Sequence, residues 1–334
     1  MKKNQTITLF FIFSCLTIIL FIVDLGVGSI YIPAKEILSV FTGGESSDLT
    51  TQILINIRLN KAIVAFLSGA ALSVSGLQMQ TLFRNPLAGP YVLGISSGAS
   101  LGVALFILGM PLIGFSASDF PLGIAGAAWI GSALILVIIG IIGQRIKDIM
   151  VILILGMMFS SGISAIVQIL QYLSNDEALK SFVIWTMGSL GDVSSSQLPI
   201  LIIAVMVGLF LAIITVKPLN QLLLGEEYAV TMGMNIRNTR SLLFLSTTLL
   251  AGTVTAFCGP IGFIGLAMPH VSRLIFTDGD HRILIPANII MGALILLLCD
   301  IISKSLVLPI NAITSLLGIP VIIFIVIKNK SVMA

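Results

Sequence analysis

The chain has 334 residues, of which 57% are hydrophobic and only 9% charged, against roughly a quarter charged in ordinary soluble domains. So few charges cannot cover a water-soluble surface, and the 17 basic residues behind the net charge of +3 are scattered among apolar runs, which excludes a nucleic-acid-binding patch. Long apolar runs, rather than short alternating ones, point to an all-α bundle that crosses a bilayer many times and not to a transmembrane barrel.

Lys2 and Lys3 precede an apolar run from Ile7 to Val23 with no small-residue cleavage site after it, so it reads as a retained first span entering from the cytoplasm. A crossing helix needs roughly 20 mostly apolar residues. Apolar runs of that kind fall at about residues 7–28, 62–82, 91–110, 121–143, 149–173, 197–216, 239–257, 260–275, 284–304 and 311–327. Gly259, Pro260 and Gly262 interrupt the seventh and eighth of these ten expected spans.

Basic residues sort with this count. Taking the N-terminus as cytoplasmic, the inner side collects Lys2, Lys3, Arg84, Arg145, Lys147, Lys217, Arg237, Arg240, Arg273, Arg282, Lys328 and Lys330. Lys35, Arg58, Lys61, Lys180 and Lys304 remain outside, a split of 12 to 5 that puts both termini in the cytoplasm. No linker or separate soluble domain is visible, so residues 1–334 read as one transmembrane domain. The longest outer loops are expected at 29–61 and 174–196, and the longest inner loop at 217–238.

No phosphate-binding G-x-x-x-x-G-K-[ST], no H-E-x-x-H and no dinucleotide fingerprint occurs, so the chain carries no recognisable ATPase or metalloenzyme motif. Cys15, Cys258 and Cys299 lie in apolar runs without ligand-like spacing and read as packing residues. His270 and His281 flank an expected inner loop and read as structural. The loop 217–238 contains Glu226 and Glu227 where acidic side chains favour a helix N-terminus, and Gly233 where a short helix would stop. Such a capped element between two spans is either a docking surface or an ordinary interfacial helix.

Arg58 and Lys61 stand at the outer mouth of the second span and Lys304 at that of the ninth, where an acidic partner would meet them; basic side chains also simply snorkel there. Asp300, four residues before Lys304, offers it a salt bridge on the same helix. Asp300 and Asp24 are acids within apolar runs, where a charge is costly without a partner, and a gradient-driven secondary transporter would need to use them. Gln78, Gln80, Gln168 and Gln171 either line a polar route or bond neighbouring helices.

The segment Arg58–Gly102, containing R-L-N-K, S-G-L-Q-M-Q-T-L-F-R-N-P-L-A-G-P-Y-V-L-G and S-S-G-A-S-L-G, closely resembles the FecCD-type permease family, as do G-P-I-G-F-I-G-L-A-M-P-H-V-S-R-L at 259–274, D-H-R at 280–282 and L-P-I at 308–310. The resemblance covers nearly the whole chain. It implies the type II fold of an ATP-binding-cassette importer for ferric siderophores, haem or cobalamin in a bacterial cytoplasmic membrane. The implied partners are a second copy of the subunit, two cytoplasmic ATPase subunits that hold ATP and Mg, and an extracytoplasmic binding protein. No cofactor on this chain is implied.

By the same resemblance, the segment from Leu222 to Asn235 would couple to the ATPases through Leu222, Leu223, Leu224, Gly225, Glu226, Glu227, Ala229, Met232, Gly233 and Asn235. Arg58, Lys61 and Lys304 would receive acidic residues of the binding protein, and Asp148, Ile149 and Met150 match an inner-gate region. Two departures stand out. The family's R-L-P-R is R-L-N-K here and lysine replaces a common arginine at 304, so the planar two-point grip on a carboxylate is lost at those positions. The glycine usual after L-P-I is Asn311.

Overall fold

In lipid, backbone N–H and C=O groups have to be satisfied within the protein, which favours helices for apolar runs of this length. A computed structural model of the chain describes residues 3–28, 32–42, 48–113, 123–143, 146 and 148–328; Lys2, Arg145, Lys147 and Lys330 lie outside the described residues. Among the described residues every regular element is helical. The α-helices in chain order are α1 (Lys3–Gly26), α2 (Ala34–Thr42), α3 (Asp48–Gln52), α4 (Asn60–Leu82), α5 (Ile95–Ala104), α6 (Gly123–Gly143), α7 (Ile149–Leu173) and α8 (Asp176–Thr186). They continue with α9 (Leu198–Ile214), α10 (Val216–Leu222), α11 (Glu226–Thr231), α12 (Ile236–Thr247), α13 (Thr253–Cys258), α14 (Ile264–Phe276), α15 (His281–Leu306) and α16 (Ile310–Lys328).

Six of the described helices are long and apolar enough to cross a membrane, and the pair α9–α10, bent by 52°, makes a seventh. Three shorter apolar helices, Ile95–Gly109, Ile264–Phe276 and Ile310–Phe324, occupy the remaining expected spans. Three expectations are corrected in detail. The second span does not begin at residue 62: α3, a π-helical stretch Ile53–Leu59 and α4 run on as one 35-residue helix, Asp48–Leu82, so much of the expected outer loop 29–61 is helix. The third is broken at its start by the 3₁₀ turn Pro90–Leu93 and by Gly94 at φ 75°. The eighth is 13 residues, about 20 Å long, and falls short of the roughly 30 Å hydrocarbon core. It starts late because the chain from Gly259 to Phe263 is irregular, with Gly259 at φ 72° and Phe263 at φ 67°.

The core is α4, buried along almost its whole length, and α15 packs antiparallel against it. Four contacts mark the seam in order along α15: Thr81 with His281, Ser73 with Asn288, Gly69 with Gly292, and Lys61 with Asp300. At the centre the two backbones touch, because a Cβ on Gly69 would overlap the Gly292 carbonyl and a Cβ on Gly292 the Gly69 carbonyl. Small residues at such a crossing let helices in lipid approach closely enough for dispersion to hold them. Gly76 meets the backbone of Gly265 on α14 in the same way.

Gly292→Ala should therefore force the α4–α15 seam apart, at about 1–3 kcal/mol for overpacking. Gly140→Ala, where an added Cβ meets nothing within 4 Å, should be near neutral. Thermal unfolding of the two variants in the same detergent checks this, and equal midpoints would show that the seam is not tight.

Candidate functional site

Two clusters of polar residues lie at opposite ends of the α4–α15 pair. At one end, the turn after α10 leads through Gly225, at φ 104°, into α11, which ends before Gly233 at φ 84°. The short helix expected from Glu226, Glu227 and Gly233 is present. Its side chains divide into two sets. Leu222 and Ala229 point inward and are buried, fixing the element to the bundle, while Leu223, Leu224, Glu227 and Met232 are exposed. Asn235 caps α12 by accepting from the Asn238 N–H at 3.1 Å. Tyr228 and Val230 also face outward and were not anticipated; the alternation of Leu224, Tyr228 and Met232 at four-residue steps is the signal that would have found Tyr228.

Glu226 is not simply part of this surface. Both its carboxylate oxygens accept from Arg240 Nη2, at 2.7 and 2.8 Å, and Arg240 Nη1 donates to the Ile146 carbonyl at 3.2 Å. Arg240 on α12 thus ties α11 to the chain just before α7. There Asp148 caps α7, accepting from the Met150 N–H at 2.8 Å, and Ile149 is the first residue of that helix. The expected gate residues are therefore one capped helix start, linked through Arg240 to the segment expected to couple to the ATPases. A cavity of about 320 Å³ lies beside this link, lined by Gly140, Gly143, Glu226, Arg237, Arg240 and Phe244 among others.

Asn220 on α10 makes a second tie. Its Nδ2 donates to Asp280 Oδ1 at 2.6 Å, and its Oδ1 accepts from the His281 backbone N–H at 2.9 Å and faces His281 Nδ1 at 2.7 Å. Asp280 caps α15 by accepting from the Arg282 N–H, and that bond chiefly, with the Asn220 amide adding to it, holds its carboxyl below the usual carboxylate range. His281 and His270 are structural, as read: His281 reaches Thr81 on α4, and His270 Nε2 donates to the Pro86 carbonyl at 2.7 Å.

At the opposite end the charges form a chain. Lys304 Nζ lies 2.8 Å from both Asp24 Oδ2 on α1 and Asp300 Oδ2, so the expected bridge to Asp300 is present and is extended to a second acid. Lys61 Nζ lies 3.0 Å from Asp300 Oδ1. Arg58 does not stand free at a span mouth: it is 5% exposed, and its Nη1 donates to the carbonyls of Leu25 and Gly26 at the end of α1, at 2.9 and 3.0 Å. A cation suits those orphan carbonyls at a helix C-terminus. Of the three expected docking bases, Lys61, with 22% of its side chain exposed, is the most accessible, and Lys304 retains 8%. Both line a cavity of about 430 Å³ at this end of the bundle.

The four glutamines separate. Gln78 Nε2 donates to Ser246 Oγ at 3.0 Å, and Gln80 accepts from Arg273 Nη1 at 2.6 Å while donating to the Leu266 carbonyl, so both bond helices together. Gln168 and Gln171 instead line a cleft of about 260 Å³ together with Ser96, Ser97, Ser100 and Ser164. These serines were not singled out in the sequence; three of them belong to the S-S-G-A-S run already quoted.

Lys304→Met should leave Asp24 buried without its cation and cost about 3–5 kcal/mol, the usual penalty for breaking one side of a buried pair. Asp24→Asn should cost less, because Lys304 keeps Asp300. Thermal midpoints in detergent should rank wild type, Asp24→Asn, then Lys304→Met; the reverse order would remove the ion-pair chain as a stabilising element.

A model of the FecCD transport family matches residues 16–328. The hemin transport permease HmuU of Yersinia pestis is 36% identical over 292 residues, covering 85% of this chain and 86% of its own. The vitamin B12 import permease BtuC of Vibrio parahaemolyticus is 33% identical, covering 95% and 93%. Among solved structures, an ABC transporter assigned to the metal-chelate type and captured inward-facing is similar with a TM-score of 0.84 at 28% identity, over 96% of this chain and 99% of that one. Matching in family model, in relatives and in helix arrangement along nearly its whole length, the chain belongs to the FecCD transport family and is a permease of the ABC transporter class.

Proposed function

We propose that this permease imports a metal chelate of the haem, cobalamin or ferric siderophore kind, by alternating access driven by ATP on partner subunits. The observation that carries the coupling half of this reading is the cytoplasmic segment itself. Leu223, Leu224, Tyr228, Val230 and Met232 are exposed on a helix and its flanking turns, between the bent end of α10 and α12. An apolar face of that kind outside the bilayer needs a protein partner. The chain carries no phosphate-binding motif, so the nucleotide and its Mg belong on that partner.

In this reading two copies enclose the pathway, two ATPase subunits dock below, and a binding protein docks outside, in a bacterial cytoplasmic membrane with both termini inside. Displacement of α11 would pull Arg240, and Arg240 would pull the start of α7, where the gate residues Asp148, Ile149 and Met150 sit. Outside, Lys61 is the cation most open to an acidic residue of the binding protein. A lysine offers a point charge rather than a two-point clamp, so that contact would be tuned by charge more than by geometry. The Gln168, Gln171 and serine cleft supplies neutral hydrogen-bonding groups along α5 and α7.

Proteoliposomes containing the permease, its ATPase and its binding protein should take up the chelate retained by that binding protein when ATP is supplied. Uptake should survive collapse of proton and sodium gradients. Uptake that follows an ion gradient without ATP would sink the reading, and uptake of a small oxyanion in place of any chelate would overturn the cargo class. Tyr228→Ala combined with Leu224→Ala should lower ATP-driven uptake by about tenfold or more with an unchanged thermal midpoint, as expected when anchors of an interface are truncated. Glu226 is a poorer probe, since replacing it also frees Arg240.

A further inference from the structure

The proposed function accounts for the link from α11 through Arg240 to α7, but leaves the second tie, at Asn220, without a role. We propose that Asn220 is a positioning residue that passes displacement of the cytoplasmic segment to α15 and, through the α4–α15 pair, to the outer charge chain. The inference rests on the coupling reading of residues 222–235.

Asn220 belongs to α10, which leads directly into the turn before α11. Its side-chain hydrogen bonds go to the start of α15: it donates to Asp280, the cap, and it accepts from the backbone N–H of His281, the first residue, with the His281 ring at hydrogen-bond distance. The amide orientation is decided by its neighbours, because a carboxylate oxygen can only accept and a backbone N–H can only donate. α10 therefore grips the end of α15 at more than one point, which resists rotation as well as separation. His281 is fully buried, and its other ring nitrogen lies 2.9 Å from the Thr81 hydroxyl, so the cytoplasmic end of α4 is held in the same cluster.

Beyond that point α15 does not move independently of α4. Ser73 donates to Asn288 Oδ1 at 2.7 Å, the Gly69 and Gly292 backbones are in contact, and Lys61 pairs with Asp300 at the outer end. α15 has 26 residues, about 39 Å at 1.5 Å per residue, which is long enough to cross the bilayer. Its outer end carries Asp300 and Lys304, and Lys304 in turn holds Asp24 on α1. A shift of α10 is thus delivered to the residues a binding protein would meet. By linkage, an event at those residues is delivered back to the cytoplasmic segment.

The test uses the full transporter in proteoliposomes and reads chelate uptake per ATP hydrolysed, together with the stimulation of ATP hydrolysis by the binding protein. Asn220→Asp keeps the acceptor for His281 but sets two carboxylates against each other at Asp280. It should lower uptake per ATP by about tenfold and abolish most of the stimulation. Combining it with Asp280→Asn restores a donor and an acceptor in exchanged positions, and asparagine also serves as a helix cap. The double variant should recover the wild-type ratio. Asn220→Ala should uncouple in the same way while keeping basal ATP hydrolysis.

An equal ratio of uptake to hydrolysis in wild type and all three variants would overturn the proposal. So would a fall in thermal midpoint and basal hydrolysis that fully accounts for lost uptake, or failure of the double exchange to rescue. A wild-type transporter that shows no ATP-driven uptake would instead overturn the coupling reading on which this inference stands, so the two failures are distinguishable.

Discussion

The contact on which the rest of the molecule depends is backbone to backbone. Where α4 crosses α15, Gly69 and Gly292 leave no side chain between the helices, and the two carbonyls lie where a Cβ would have to go. In a bilayer there is little hydrophobic gain in moving an apolar side chain from lipid to protein, so tight van der Waals packing and a few interhelical hydrogen bonds have to hold the bundle. The seam supplies both: a glycine crossing, with the polar pairs of Ser73 with Asn288 and Thr81 with His281 on one side of it and the ion pair of Lys61 with Asp300 on the other. Because the pairs descend α4 as they ascend α15 in nearly equal steps, the register is determined at several points, and a slip at one would break the others.

The same seam explains why charge is tolerated so deep. Asp24 and Asp300 are fully buried acids in apolar surroundings, each within 3 Å of a lysine ammonium. Lys304 joins them, Lys61 closes one end, and Arg58 reaches the carbonyls at the end of α1 beside Asp24. The cluster fastens α1, an otherwise peripheral helix, to the core at its C-terminal end. In its N-terminal half α1 is held differently, by Phe10, whose ring packs tilted against Phe276 of α14 with centroids 4.7 Å apart. A residue that looks like a free cation in sequence is thus a structural crosslink, and the cation left most open, Lys61, is only partly so.

At the other end of the seam the design is the opposite. Tyr228 and Val230 on α11, with Leu223, Leu224 and Met232 beside it, are exposed, yet the element is anchored by inward-facing Leu222 and Ala229, by Arg240 toward α7 and by Asn220 toward α15. A surface held this firmly and left this apolar fits a docking element that must move with its partner without unfolding. The two anchors lead to different helices, one beside the expected gate and one in the core.

Residue types and their order were enough to determine a great deal. The low charge, the apolar runs and the sorting of basic residues specified an all-helical membrane protein with about ten crossing elements, since solvation depends on composition and needs no knowledge of contacts. Local chemistry was equally legible: Glu226, Glu227 and Gly233 marked a short capped helix, and the spacing of Asp300 and Lys304 marked their bridge. What sequence spacing does not carry is which distant residues share a site. Asp24 and Lys304, or Asn220 and His281, are brought together only by how helices cross, and whether Gln78 bonds a neighbour while Gln168 lines a cleft depends on which face each helix turns inward. Irregular backbone was lost for a related reason. The start of α14 after Phe263 and the run of helix through Arg58 depend on tertiary partners that outweigh local hydropathy, so only the folded chain decided where those spans begin.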